Sequence, residues 1–542
     1  MANFTPNGII SIGRVPFDNS YRHTMTFASR QAQSEYFASV CPKKLSGGDY
    51  TYVRMNNAIK VPYNAEELYT YNYVMYQNSN YGSKWFYAFI VGINYINKNT
   101  TELVLQLDVM QTWYFDYKLS QCFVEREHVS DDGLYKHTNP EPTMALEYQS
   151  ANYAEKIMNQ GWLVVQTTAY PHYIGVDTKT VTGSDAVTGG IYDGQYSAAK
   201  YIVFSTDSKG LKAAKRFMKN INEAGAADAI SNIFTVPDDV LGAVDLEPLE
   251  YYGQGTIPPD TYMLKERKDA KSSLYGIVQD RKFGNFTPHN NKLYVYPYSF
   301  AEVGDFTGRK QDFMFEKSTY SGDQHYIQLN LKAPVNSEMQ AIIRAVDYGG
   351  ESMSKEVLTV NLSNKCPWTY SAYQNWAAQN SLALAVSLLG SLGGAAITMM
   401  PGISESFGLL GAGTGVQAAG DLMSTVASVD RMRRTPNESR GNINGNSLLG
   451  SETYGFYTAN EQIREEYARI VDGFFDMYGY QVDRVKVPNR TGRPSWNYVK
   501  TRNACHHGNV PASDMALINS IFDNGITFWH TADVGNYSLA NK

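Results

Sequence analysis

The stretch Y-N-Y-V-M-Y-Q-N-S-N-Y-G-S-K-W-F-Y-A-F-I (Tyr71 to Ile90), with L-V-L-Q-L-D-V-M (Leu103 to Met110) close behind it, decides the fold class. Aromatic and β-branched side chains fill Tyr71 to Tyr76, Lys84 to Ile90 and Leu103 to Met110, the composition that suits a pleated, half-buried surface. Asn-Ser-Asn-Tyr-Gly and Asn-Lys-Asn-Thr separate the three runs and supply turn residues. The reading is an antiparallel meander. The whole chain agrees with it: among 542 residues there are 41 tyrosines, and aromatics make up 13%, more than helix bundles use and well suited to strands and broad contact surfaces. The chain is expected to be mainly β with some α, an α+β multidomain protein.

Working outward, Ile9 to Val15 reads as an opening strand. Ser29 is placed to cap a short helix with Ala32, Tyr36, Phe37 and Val40 on one side, and Asn64 to cap a turn carrying Glu66 and Glu67. Tyr50 to Val61 is extended. Trp162 to Thr167 and Tyr201 to Phe204 are apolar enough for buried strands. Lys209 to Asn222 places Leu211, Ala214, Phe217, Met218 and Ile221 on one helical face and lysines on the other. Leu293 to Phe300 is read as a strand carrying a proline, at an edge or ending there, and His325 to Lys332 and Met339 to Val346 alternate as half-buried strands do. Thr458 and Glu461 form a capping-box pattern ahead of a helix with Ile463, Tyr467, Ile470, Phe474 and Met477 at helical spacing, ending at Gly479. The domains expected are 1–130, 131–365, 366–455 and 456–542.

The third of these differs in kind. L-A-L-A-V-S-L-L-G-S-L-G-G-A-A-I-T-M-M (Leu382 to Met400) carries no charge, and only Glu405 and Asp421 interrupt from there to Val429. As one helix the first run would rise roughly 28 Å, close to the roughly 30 Å of hydrocarbon that a spanning helix crosses. Gly390 and Gly394, like Ser387 and Ser391, stand four apart, the small-xxx-small spacing that lets helices approach closely in lipid. Pro401 and Gly402 make a reversal. The expectation is an apolar hairpin in which Leu382, Leu384, Val386, Leu388, Leu389, Leu392, Ile397, Met399 and Met400 contact lipid, and Gly390, Gly394, Pro401 and Gly402 pack and turn. A buried helical hairpin or an unstructured Gly/Ala/Ser loop fits the same composition.

L-V-L-Q-L-D-V-M-Q-T-W (Leu103 to Trp113) followed by F-V-E-R-E-H-V (Phe123 to Val129) resembles the tail knob proteins of phi-29-type short-tailed phages. So do R-V-P-F-D-N-S-Y-R-H-T (Arg14 to Thr24), I-K-V-P (Ile59 to Pro62), Y-V-M-Y-Q-N (Tyr73 to Asn78) and S-K-W-F-Y-A-F-I (Ser83 to Ile90). At the other end the similar strings are Y-Q-V-D-R-V-K-V-P-N (Tyr480 to Asn489), S-W-N-Y-V-K-T (Ser495 to Thr501) and I-F-D-N-G-I-T-F-W-H (Ile521 to His530). The resemblance implies tail-tube-like β-barrel domains assembled as a homohexameric tube at the distal tip of the tail, joined to upper tail tube or collar proteins. It further implies that the apolar loops plug the lumen, then enter the host cytoplasmic membrane and open a pore for genome ejection. An inert plug, a receptor-binding tip and a wall hydrolase in the loosely matched middle are the competing functions.

Net charge is −6, so no basic footprint holds nucleic acid. Such a wall suits viral double-stranded DNA in transit better than DNA in storage, because phosphate contacts create affinity. Cys41, Cys122, Cys366 and Cys505 are scattered without paired spacing, which indicates neither a zinc module nor a disulfide scaffold. Met1 to Pro16 lacks the basic and apolar regions of a signal peptide, so synthesis in the host cytoplasm and delivery by assembly are expected. Cys505, His506 and His507 supply no four-ligand set, and Gly411, Gly413 and Gly415 lack the lysine of a phosphate loop. The acids at Glu125/Glu127, Asp131/Asp132 and Glu247/Glu250 read as exposed partners of basic residues, since sequence does not set two of them at the roughly 5–9 Å spacing of glycoside hydrolysis, and no G-x-S-x-G elbow occurs. No catalytic residue, metal or cofactor is assigned, and no enzyme activity is expected.

Overall fold

The computed structural model describes residues 8–47, 49–53, 57–78, 82–141, 147–168, 190–192, 195–197, 200–223, 227–242, 246–248, 260–264, 271–319, 326–363, 365–366, 368–370, 434, 438–440 and 454–542. The fold is mainly β with some helices. It divides into two compact units, each built from discontinuous chain: Met1–Gln149, Arg281–Ser299 and Gln462–Lys542 make the first, and Ser150–Asp280 and Phe300–Glu461 the second.

The meander read from Tyr71 to Met110 is the middle of a seven-stranded sheet in the first unit. Its spatial order is Lys43–Ser46, Gly8–Gly13, Tyr73–Asn78, Trp85–Asn97, Thr100–Leu107, Ala58–Val61 and Thr51–Val53. Register follows the apolar pattern: Tyr73 opposes Phe89, Met75 opposes Tyr87, and Ala88 opposes Leu107. The last strand stops at Leu107 rather than Met110. Asp108 ends it by accepting the backbone N–H groups of Met110 (3.0 Å) and Gln111 (3.1 Å), starting the one-turn helix Val109–Thr112. Ser29 and Asn64 cap their helices as expected, accepting from Ala32 and Glu66. Gly13 has no room for a side chain, since a Cβ there would sit 2.1 Å from the Val40 carbonyl oxygen.

A second sheet in this unit joins the two ends of the chain. His23–Met25 runs parallel to Ile526–Trp529, which pairs with Trp496–Arg502, then Cys122–Glu127 and Tyr480–Lys486. One core therefore holds Phe17, Phe37, Tyr73 and Phe89 from the N-terminal part with Trp496, Phe522, Phe528 and Trp529 from the C-terminal part.

Several local expectations are overturned. Thr458 and Glu461 lie inside the strand Gly455–Ile463, and the helix starts later, at Glu465 behind Arg464. Its buried face is Ala468, Val471, Asp472 and Phe475, while Ile470 (60%) and Phe474 (42%) are exposed. The helix is turned this way because Asp472 accepts the backbone N–H groups of His289 (3.0 Å) and Asn290 (2.9 Å), which commits its side to the interior. Gly479 ends this helix as expected, with φ 64° and a Cβ position 2.3 Å from the Glu127 carbonyl oxygen. Leu293 to Phe300 is likewise no strand: Asn291–Tyr294 is a short 3-10 helix, and the strand runs Ser299–Asp305. Pro297 has no N–H for a ladder, and the buried Lys292 ammonium draws the segment inward by donating to the carbonyls of His137 (2.9 Å) and Asn139.

In the second unit Trp162–Thr167 is an interior strand of a five-stranded sheet, flanked by Lys200–Ser205 and Ile230–Val236. The helix Ser208–Glu223 buries Ala213, Ala214, Phe217 and Ile221 beside Val165, Ile202 and Phe204; Leu211, expected on that face, is exposed because it sits in the first turn. Tyr326–Ala333 and Gln340–Tyr348 alternate in burial as their sequences require.

Burial makes the first unit acid-sensitive. Both ring nitrogens of His128 are used, Nδ1 accepting from the Tyr498 N–H (2.7 Å) and Nε2 donating to the Asp476 carbonyl (3.0 Å), so its proton-binding site is occupied. Burial lowers it to about 4, and burial lowers His506 to about 4 as well. Both are neutral when folded and bind a proton more readily when unfolded, so each costs stability as pH falls from about 6.5 toward 4. Asp108 acts oppositely: burial raises it to about 6, so the folded state gains as pH falls through that value. Summed between pH 7 and pH 5, the histidines outweigh it by roughly 2 kcal/mol. Urea midpoints of the first unit are expected to drop over that interval; a flat profile would contradict this balance.

Candidate functional site

The apolar segment reads as the functional element, and the candidate site is the place where the chain enters and leaves it. Leu382, Leu384, Val386, Leu388, Leu389, Leu392, Ile397, Met399 and Met400, with Gly390, Gly394, Pro401 and Gly402, lie outside the described residues, as do Gly411, Gly413 and Gly415. The two flanks are described, and they meet. Trp368–Tyr370 pairs antiparallel with Glu438–Arg440, placing Trp368 opposite Arg440, Thr369 opposite Ser439 and Tyr370 opposite Glu438.

This ribbon is fastened to the second unit by its first strand. Trp368, 8% exposed, packs in the cluster with Val165, Phe204, Phe217 and Ile233. Just ahead of it the Cys366 N–H donates to the Ile233 carbonyl (2.8 Å), and Lys365 bridges Phe234. Arg440 on the returning strand reaches Asp228 at 3.1 Å. Both ionic partners are substantially exposed, so that contact is worth at most about 1 kcal/mol. The anchor is the buried indole, not the ion pair. The stem holds the two ends of the intervening chain side by side, at a loop-closure cost that grows only slowly with the length between them.

Sequence reading missed this stem. Three-residue strands give too little alternation to recognise, and nothing local links Trp368 to Arg440. Among the described residues no helix is long and apolar enough to cross a membrane.

Of the other groups singled out in the sequence, Glu250 and the Glu247 side chain lie outside what is described, and the rest are placed as follows. His506 is buried and its Nδ1 accepts the Ser120 N–H (3.2 Å), His507 Nδ1 lies 2.8 Å from Ser120 Oγ, and Cys505 is an exposed free thiol. Glu125 pairs with Lys500 (2.7 Å), Glu127 with Lys486 and the Asn489 N–H (2.9 Å), and Asp132 accepts from the Tyr480 hydroxyl (2.7 Å).

Residues 263–542 match the family model described as the C-terminal domain of the tail knob protein gp9 of Bacillus phage phi29. That is more than half of the chain. The chain belongs to the phi29-type tail knob family.

Other likenesses of this tail knob chain extend over the remainder. Residues 9–118 match a model of the caudoviral major tail protein N-terminus. The tail knob protein gp9 of Bacillus phage PZA is 28% identical, and that of Bacillus phage phi29 is 26% identical; each comparison covers 97% of this chain and 97% of the relative. In fold, the chain is similar to the solved structure of the bacteriophage C1 tail knob protein, gp12, with a TM-score of 0.66 over 99% of both chains at 14% identity. A tail knob protein is a structural component of the virion tail, and its partners include other tail components.

Proposed function

We propose that this tail knob chain forms a homohexameric tube at the distal end of the tail, with its apolar loops plugging the lumen until they penetrate the host cytoplasmic membrane and open a pore for the genome. The stem supports this reading, because Trp368–Tyr370 and Glu438–Arg440 bring together the two ends of chain that flank the membrane-compatible stretch. Packing the loops against one another hides apolar surface that water disfavours at about 25 cal/mol per Å², and lipid offers a second place to hide it. The negative net charge leaves double-stranded DNA free to pass without sequence-specific binding. Upper tail tube or collar proteins are the proposed partners on the other side. The role is mechanical rather than enzymatic.

A second reading, an inert plug in a structural tube, draws on the same segment: Ser387, Gly390, Ser391, Gly393, Gly394 and Thr398 dilute its leucines, and glycine costs up to about 1 kcal/mol in a helix. The assembly half of the proposal is tested by light scattering of the purified chain. A hexamer mass is expected, and a monomer at micromolar concentration would contradict the tube.

A further inference from the structure

Helix Glu465–Tyr478 places Asp472 and Asp476 four residues apart on one face, where like charges repel. His289 stands over both. Its Nδ1 lies 3.4 Å from Asp472 Oδ2 and 3.3 Å from Asp476 Oδ2, and the three groups offer ligand atoms all within 4.8 Å of one another.

The remaining polar atoms hold these three in place. Asp472 Oδ1 accepts from the Asn290 backbone N–H (2.9 Å) and from Asn290 Nδ2 (3.0 Å), and Asp476 Oδ1 accepts from the same Nδ2 (2.8 Å). Asp472 Oδ2 takes the His289 backbone N–H (3.0 Å), which uses one of its lone pairs. One Asn290 amide thus orients both carboxylates, so that an Oδ2 of each is turned to the imidazole. The Lys542 ammonium, close by, is committed to Asp132 and the His289 carbonyl.

The separations are informative. His289 Nδ1 makes a long hydrogen bond with Asp476 Oδ2 (3.3 Å), beyond the length of a charge-assisted N–H···O bond, about 2.7–2.9 Å. An ion bound at about 2.0–2.2 Å in a tetrahedral set holds neighbouring ligand atoms roughly 3.3–3.5 Å apart, which is what the two imidazole–carboxylate edges show.

We propose that His289, Asp472 and Asp476 form a binding site for a divalent ion of the zinc class. One imidazole and two carboxylates suit such an ion better than magnesium or calcium, which take all-oxygen sets. His289 is 70% exposed on its side chain, so the fourth position faces solvent. Bound there, the ion neutralises the two aspartates and ties the Arg281–Ser299 segment to the helix, adding a crosslink within the first unit.

The test uses the full chain freed of metal by chelation and titrated with Zn²⁺ by calorimetry, and with Co²⁺ by visible absorption. About one equivalent of Zn²⁺ per chain is expected, with the absorption of a four-coordinate Co²⁺ ion. His289→Ala and Asp476→Asn are each expected to weaken binding at least about tenfold, with far-UV circular dichroism of the metal-free proteins checking that both fold. Cys505→Ser with His507→Asn is expected to leave binding as it was. Absence of saturable binding, affinity in the His289 and Asp476 variants equal to that of the unsubstituted chain, or loss of binding only in the Cys505/His507 variant would each overturn the proposal.

Discussion

Replacing Leu388 and Leu389 together by aspartate is expected to bring dye release from lipid vesicles down to background while the particle still assembles. Each charge placed at the middle of a helix in hydrocarbon costs about 2.5–3.5 kcal/mol. Two of them raise the insertion cost by roughly 5–7 kcal/mol, a factor of about 10⁴ or more in the inserted population. Assembly is expected to be spared because both positions lie, along the chain, between the two strands of the stem, Trp368–Tyr370 and Glu438–Arg440, which pair without them. Leakage assays and light scattering on the same preparation check both halves. A variant that no longer assembles would show that these leucines pack within the particle, and the lipid role would fall.

The second large effect concerns the closure of the first unit. Trp496→Ala is expected to destabilise it by about 3–5 kcal/mol, the range for deleting a buried large aromatic. Trp496 is 1% exposed, sits opposite Trp529 in the sheet with ring centroids 5.3 Å apart, and meets the edge of Tyr537 at 5.3 Å. Its indole N–H donates to the Asp476 carbonyl (2.8 Å), which also accepts from His128. That carbonyl keeps a partner after truncation, so the loss is chiefly packing. Urea unfolding followed by tryptophan fluorescence and far-UV circular dichroism measures it. A change below about 1 kcal/mol would mean that the chain ends contribute little to the unit, against the shared core.

What the sequence made legible was whatever rests on local pattern. Tyr71 to Met110 alternates strongly enough to define three strands, and Ser29 and Asn64 mark helix starts because a cap is a contact over two or three residues. The misplaced helix start at Thr458 shows where this fails: S/T-x-x-E is a local signature, but strand Gly455–Ile463 is held by partners distant in sequence. The orientation of helix Glu465–Tyr478 was hidden for the same reason, since Asp472 turns inward to meet backbone from residues 289 and 290. The stem at Trp368 and Arg440, and the group His289, Asp472 and Asp476, join residues whose separation along the chain is large. The apolar segment was visible at once by composition.

The pore is tested most directly by dye release from liposomes, comparing the intact chain with a version lacking Gln379 to Val429, at neutral and mildly acidic pH. The stem should still close a shortened loop, so both proteins are expected to assemble, and only the intact chain should release dye. Equal release by both, or none by either when both are assembled, would contradict the pore, and the inert plug would take its place.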